Sequence, residues 1–287
     1  MIGVYRKEIR SYRTTMIAYV FAAFILAVIG LYFSFINLNL ASPRFEGVLE
    51  SVQFVFLVFV PILTMRVMAE EKKQKTDQLL LTLPLSVTDI VVGKYLALVT
   101  VYAVPMAIVC LYPVIMAQNG EVNLVNAYLS ILGFFLLGCA NMAIGLLLSS
   151  LTESPVIAAV MSFGVLLLCY LMNTISKMVP NTAKASFVCF TAVILIFAAV
   201  VYYLLRNVLV TAGTAVLLEA LNAGLFLMDR RIYEGAFQKV LSVFYMNGRL
   251  TGFFDGILDF SGIIYYLSVA GIALFLAVQV ITKRRWS

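Results

Sequence analysis

Long apolar stretches alternate along this chain with short clusters of charge, and that alternation predicts helices that cross a bilayer. The apolar runs fall at about 15–38, 49–65, 90–116, 124–149, 155–176, 187–205, 207–228 and 261–281. Each is close to the roughly 20 residues that cover a hydrocarbon core of about 30 Å at a rise of about 1.5 Å per residue. Lipid offers no partners for backbone N–H and C=O groups, so helices are the natural spanning element. The period-two alternation of an outer-membrane barrel is absent. The reading is therefore eight spans. Only Arg206-Asn207 separates the sixth from the seventh, which form either a tight hairpin at the inner surface or a shallower re-entrant pair. The first run is too long for a secretory h-region and lacks a small-x-small cleavage site, so it is expected to remain as a helix.

Three polar or amphipathic segments interrupt this pattern. In 1–14, Ile2, Tyr5, Ile9 and Tyr12 recur at helical spacing while Arg6, Lys7, Arg10 and Arg13 fall largely on the other side, which describes an interfacial helix. In 67–89, Glu70, Glu71, Lys72, Lys73 and Lys75 precede Leu79, Leu80, Leu81 and Leu83, with Pro84 as a stop. A helix with charges at one end and leucines at the other suits a groove on a soluble partner; a solvated loop is the plainer alternative. In the long loop 229–260, Phe237, Val240, Leu241 and Phe244 repeat at i, i+3, i+4 and i+7, as an amphipathic helix on the outer leaflet does.

Composition agrees with the pattern: 63% of residues are hydrophobic, 12% are charged, and the mean hydropathy is +1.03, far from soluble proportions. The chain is an all-α polytopic membrane protein. Lys and Arg near span ends stay on the cytoplasmic side. The inner segments carrying Arg6, Lys7, Arg10, Arg13, Arg66, Lys72, Lys73, Lys75, Lys94, Arg206, Lys283, Arg284 and Arg285 put both termini in the cytoplasm. Anionic lipid then accounts for the net charge of +6, and no nucleic-acid partner is expected.

Absences restrict the chemistry. The chain has no histidine, so it has no Ser-His or Cys-His nucleophile and no histidine metal ligand. Cys110, Cys139, Cys169 and Cys189 stand singly in apolar runs without a C-x-x-C pair and read as small buried hydrophobes. Neither phosphate-binding glycine motif occurs; Gly93-Lys94 is followed by Tyr95 and lacks the upstream glycine. No catalytic, cofactor or metal residue is assigned, and ATP-driven work would need a second polypeptide.

Ionisable groups inside spans are costly, about 2.5–3.5 kcal/mol each at a helix centre on insertion scales. Glu219, with Asn222 three residues on and on the same face, is read as the one strong case and a candidate intramembrane polar site. It is either a proton or cation site, or a protonated carboxyl bonded to a neighbouring helix, or a sign that the segment is shallower than drawn. Asn141, Gly145 and Ser149 form a small-polar stripe of the kind that packs helices. Asp255 and Asp259, one turn apart, are read as caps or solvent-facing residues rather than a catalytic pair.

Arg66, Glu70-Glu71, Thr76, Leu79-Leu80, Pro84, Asp89-Ile90 and Gly93-Lys94 resemble the signature of type 2 ABC transporter permeases. Ser149-Ser150-Leu151-Thr152-Glu153 with Ala158-Ala159 extends the likeness, as do 253–259 with Tyr265-Tyr266-Leu267 and the ending Lys283-Arg284-Arg285-Trp286. The combination is similar to the gliding-motility-type subgroup and covers most of the chain. Lys75, Asp77 and Gln78 depart from the residues more usual around the threonine, and 187–228 looks like a hairpin added to a six-span core.

The resemblance implies one transmembrane permease domain over 1–287 in a bacterial inner (plasma) membrane. It also implies a cytoplasmic ABC ATPase partner that holds ATP and Mg, and a second permease copy, identical or related. An extracytoplasmic accessory protein and membrane lipids complete the implied partners. Arg66, Glu70, Glu71, Thr76, Leu79, Leu80 and Pro84 would form the coupling helix against the ATPase, a rigid rod continuous with the second and third spans, and the transport direction would be export. The alternative from a different class is a self-contained channel or ion-coupled carrier that uses Glu219. A membrane enzyme has the least support.

Overall fold

The computed structural model describes residues 1–76, 86–118, 120–205, 208–228 and 230–286, and among these every regular element is helical. In chain order the elements are α1 (Ile2–Thr14), α2 (Met16–Phe33) with a π-helical extension Ser34–Asn39, α3 (Glu46–Val52), α4 (Val55–Thr64), α5 (Ala69–Lys73), α6 (Val87–Val109), α7 (Leu111–Ala117), α8 (Leu124–Leu151), α9 (Pro155–Met178), α10 (Ala183–Leu205), α11 (Val208–Met228), α12 (Arg230–Tyr233), α13 (Ala236–Phe244), a 3₁₀ turn Met246–Leu250, α14 (Thr251–Phe254) and α15 (Phe260–Trp286). The chain divides into two compact units, Met1–Leu168 with Arg249–Ser287, and Cys169–Gly248.

Among the described residues five helices are long and apolar enough to cross a membrane: Met16–Asn39, Val87–Ala117, Leu124–Leu151, Pro155–Met178 and Phe260–Arg284. A sixth crossing is the pair Glu46–Val52 and Val55–Lys73 if its 62° bend lies within one broken span. The run at 49–65 gave no sign of that break. The helices at the expected sixth and seventh spans exist, but their apolar parts, Ala183–Ala199 and Ala212–Leu227, are shorter.

Local chemistry sets the helix ends. Ser86 caps α6 by accepting from the Asp89 N–H at 3.1 Å, and Asn123 caps α8 by accepting from the Asn126 N–H at 3.3 Å. Pro155 opens α9 at the position that tolerates a missing N–H. Pro113 has no N–H to give the Val109 carbonyl, and the third crossing is interrupted there, at Cys110. Asp259 accepts from the Ser261 N–H at 2.9 Å at the start of α15, the capping role read for it.

In the first unit α8 is the central helix, packed on α3, α4, α6, α14 and α15. Without a hydrophobic drive between helices in lipid, small residues that let backbones approach closely do the packing. A methyl group at Gly138 would lie 2.5 Å from the Tyr102 ring, and one at Gly145 would lie 2.4 Å from the Thr64 hydroxyl. Tyr102 is fully buried, stacks on Phe135 at 5.3 Å, and donates to the Phe134 carbonyl at 3.1 Å. Ala143 of α8 meets Ala270 and Ala273 of α15.

In the second unit Phe187, near the start of α10, packs its ring against that of Phe226, near the end of α11, with centroids 4.8 Å apart. The two helices therefore run antiparallel, as a hairpin. The helix expected in the outer loop is α13, and its Phe237 ring meets Phe190 at 5.3 Å.

Candidate functional site

The charged end of the first unit is built around Lys94. It lies on the second turn of α6, 1% exposed, inside the predicted third span. Its ammonium is 2.9 Å from Glu8 of α1, 2.9 Å from Glu71 of α5, and donates to the Val67 carbonyl at 3.0 Å. The second oxygen of Glu71 pairs with Lys7 at 2.9 Å. Three helices are thus joined by four side chains. A buried pair that loses one partner leaves an uncompensated charge, at a cost of about 3–5 kcal/mol, so the junction is rigid.

Burial works against the Lys7 ammonium, but the hydrogen bond to Glu71 and the charges of Glu71 and Glu8 carry its pKa above the ordinary lysine value. Burial, with the same two carboxylates adding to it, pushes the Tyr12 phenol far up. Both groups keep their neutral-pH forms. A cavity of about 430 Å³ opens beside it, lined by Lys7, Glu8, Tyr12, Arg66, Glu71 and Lys94 among others.

Hydrogen bonds to α8 hold the neighbouring turn. The buried Ser149 hydroxyl accepts from the Met68 and Ala69 N–H groups, both at 3.2 Å, and donates to the Met65 carbonyl at 3.2 Å. Lys72 donates to the Ser150 carbonyl. One step farther, Arg284 of α15 pairs with Glu153 at 2.7 Å. Three segments far apart in sequence, 66–72, 149–153 and the end of α15, therefore meet at one end of the unit.

The predicted site residues are distributed unevenly over this arrangement. Glu71 is at its centre. Arg66 and Glu70 form an exposed i,i+4 pair at 3.5 Å. The Thr76 N–H bonds back to the Glu71 carbonyl at 3.0 Å. Leu79, Leu80 and Pro84 lie outside the described residues. The expected rigid rod is interrupted: α5 is only five residues long, a turn separates it from α4, and Lys75 adopts a left-handed φ of 55°, which a β-carbon disfavours in a helix.

Two readings of the polar residues change. Glu219 is half-buried, whereas Lys94, counted above among the inner flank charges, is the more deeply buried group, and one lysine beside a long apolar run is lost in a hydropathy average. Glu8, the single acid among the basic residues of 1–14, was the available signal for its partner. On α1 the buried positions are Val4 and Glu8, with Tyr5, Ile9 and Tyr12 half-buried and Ile2 exposed. Glycine at 93 admits Val4 of α1, whose Cβ would lie 3.2 Å from a methyl group there, so α1 rests on protein as well as facing outward.

In the second unit Asn222 is buried. Its amide donates to Thr191 at 3.2 Å and lies 3.5 Å from Glu219, and its side-chain oxygen accepts from Tyr233 at 2.8 Å. The four cysteines are free and only partly buried, more accessible than the small-hydrophobe reading supposed. Among the described residues no group of three or more Cys, Asp or Glu could hold a metal ion.

A family model described as ABC-2 family transporter protein matches residues 46–225, well over half of the chain. No curated protein matches it.

Proposed function

The chain belongs to the ABC-2 family of transporter proteins, and from that premise we propose that it is the permease subunit of an exporter driven by a separate ATPase. The match makes it a multi-pass membrane component of an ABC transporter; export, the docking site and the assembly are the further steps of this reading. The ATPase docks on the cytoplasmic end around α5, where Arg66, Glu70, Gln74, Lys75 and Thr76 are offered to solvent. ATP and Mg are held by that partner. Two permease copies, identical or related, flank the translocation path in a bacterial inner membrane, with both termini cytoplasmic.

The observation that carries this reading is the Lys94–Glu71–Glu8 junction. A push on α5 cannot be absorbed locally, because Glu71 and the Ser149 hydroxyl tie that segment to α6, α1 and α8. Motion at the docking surface therefore passes to crossing helices as a rigid-body displacement, the form of change that opens and closes paths in such machines. The junction replaces the uninterrupted rod expected of a coupling helix. An ion-coupled carrier using Glu219 gains less support, because Asn222 beside it is already engaged by Tyr233 and Thr191.

The test is co-purification of the tagged full chain from its native host in mild detergent, with mass spectrometry of what remains bound. A P-loop ATPase should accompany the native chain and be lost with Glu71→Lys. Arg66→Glu probes the same surface at an exposed pair and should weaken retention while leaving the size-exclusion profile of the permease unchanged. Repeated recovery of a folded permease without any ATPase would sink the reading.

A further inference from the structure

At the other end of α8, about 35 Å from Ser149 at 1.5 Å rise per residue, lies a second cavity of about 540 Å³. The segment from Ser42 into α3, the start of α8 and the end of α14 enclose it. Its wall carries Arg44, Glu46, Glu50, Glu121, Asn126 and Asp255, four carboxylates against one guanidinium. An acidic wall alone would be a solvated surface. Glu46 is the independent sign: it is 9% exposed, it lines the cavity, and its Oε2 has no hydrogen-bond partner. Burying a carboxylate oxygen without a partner is costly, and folded proteins avoid it unless something else completes the site.

The type of occupant follows from charge and spacing. The excess of carboxylates over Arg44 makes it positive, and low-dielectric walls around a cleft of one sign focus the field on such a ligand. A single metal ion does not fit, because no three of these groups converge closely enough to coordinate one. Dispersed carboxylates around a roomy cavity match several positive centres carried on one flexible chain. The volume is in the range of small-molecule sites.

We propose that this cavity binds an extended organic cation bearing two or more ammonium groups, one of which is taken directly by Glu46. This goes beyond the permease reading and does not depend on it, since binding needs neither ATP nor an ATPase. Glu50, Glu121 and Asp255 supply the surrounding field, and Arg44 sets the outer edge by repelling a cation placed too far out.

The experiment uses the full chain in phosphatidylcholine nanodiscs at low ionic strength, titrated with spermidine by calorimetry and followed by thermal unfolding. Saturable binding is expected, weakened at least tenfold by Glu46→Gln, with a spermidine-induced rise in Tm for the native chain that the variant loses. Propylamine, with a single ammonium, should bind far more weakly. Glu50→Gln and Asp255→Asn change exposed side chains and should each weaken spermidine binding several-fold, which keeps the test open if Glu46→Gln does not fold. Absence of saturable binding overturns the proposal, and so does binding that Glu46→Gln leaves intact. Displacement of spermidine by equimolar Ca²⁺ would assign the cavity to a metal ion and overturn it as well.

Discussion

The two ends of α8 treat buried charge in opposite ways. At one end Lys94 is enclosed by two carboxylates and a carbonyl, and the acids facing it are paired in turn. At the other end Glu46 is buried with an oxygen left unsatisfied among further acids. A saturated cluster resists rearrangement and transmits force, whereas an unsatisfied one waits for a ligand. In the readings proposed above, the first end does mechanical work and the second recognition, within one helical unit.

Removing charge at both ends should move stability in opposite directions. Lys94→Met removes the buried cation shared by Glu8 and Glu71, leaves them only the more exposed Lys7, and should cost about 3–5 kcal/mol, read as a large fall in the unfolding midpoint in detergent. The double variant Lys94→Met/Glu71→Gln should recover part of that loss; a purely additive result would break the idea of a shared network. Ser149→Ala removes the acceptor for two buried N–H groups and should cost about 1–3 kcal/mol. In ligand-free protein Glu46→Gln should be neutral or stabilising by about 1 kcal/mol, since an uncharged amide is cheaper to bury than a lone carboxylate. A clear loss of stability would mean that Glu46 is already paired. Arg284→Ala disrupts a partly exposed pair with Glu153 and should change stability by less than about 1 kcal/mol, the baseline against which the others are judged.

The helices were legible because a lipid-facing face needs a long apolar run, and each of the eight runs contains helix in the described residues. The outer-loop helix α13 and the Asp259 cap were equally plain, since both depend on neighbours in sequence. The 62° bend at Gln53–Phe54 left no trace in hydropathy. The Lys94 junction was hidden for another reason: its partners lie 86 and 23 positions away, and a single charge scarcely alters a long apolar average. Glu71 was found through a motif resemblance, and Glu8 was passed over as a minor term in a basic segment. Ser149 was read as packing glue, when its hydroxyl in fact fixes the backbone of the turn before α5.

The order of the Lys94 partners along the chain also bears on biogenesis. Glu8 and Glu71 both precede Lys94, so when the ribosome delivers the third crossing segment its counter-charges have already been synthesised. A lysine that would be costly to bury alone can instead be received by carboxylates already in place. Translation from N- to C-terminus thus supplies the acids before the base, and the completed cradle marks the point at which α1, α5 and α6 have joined.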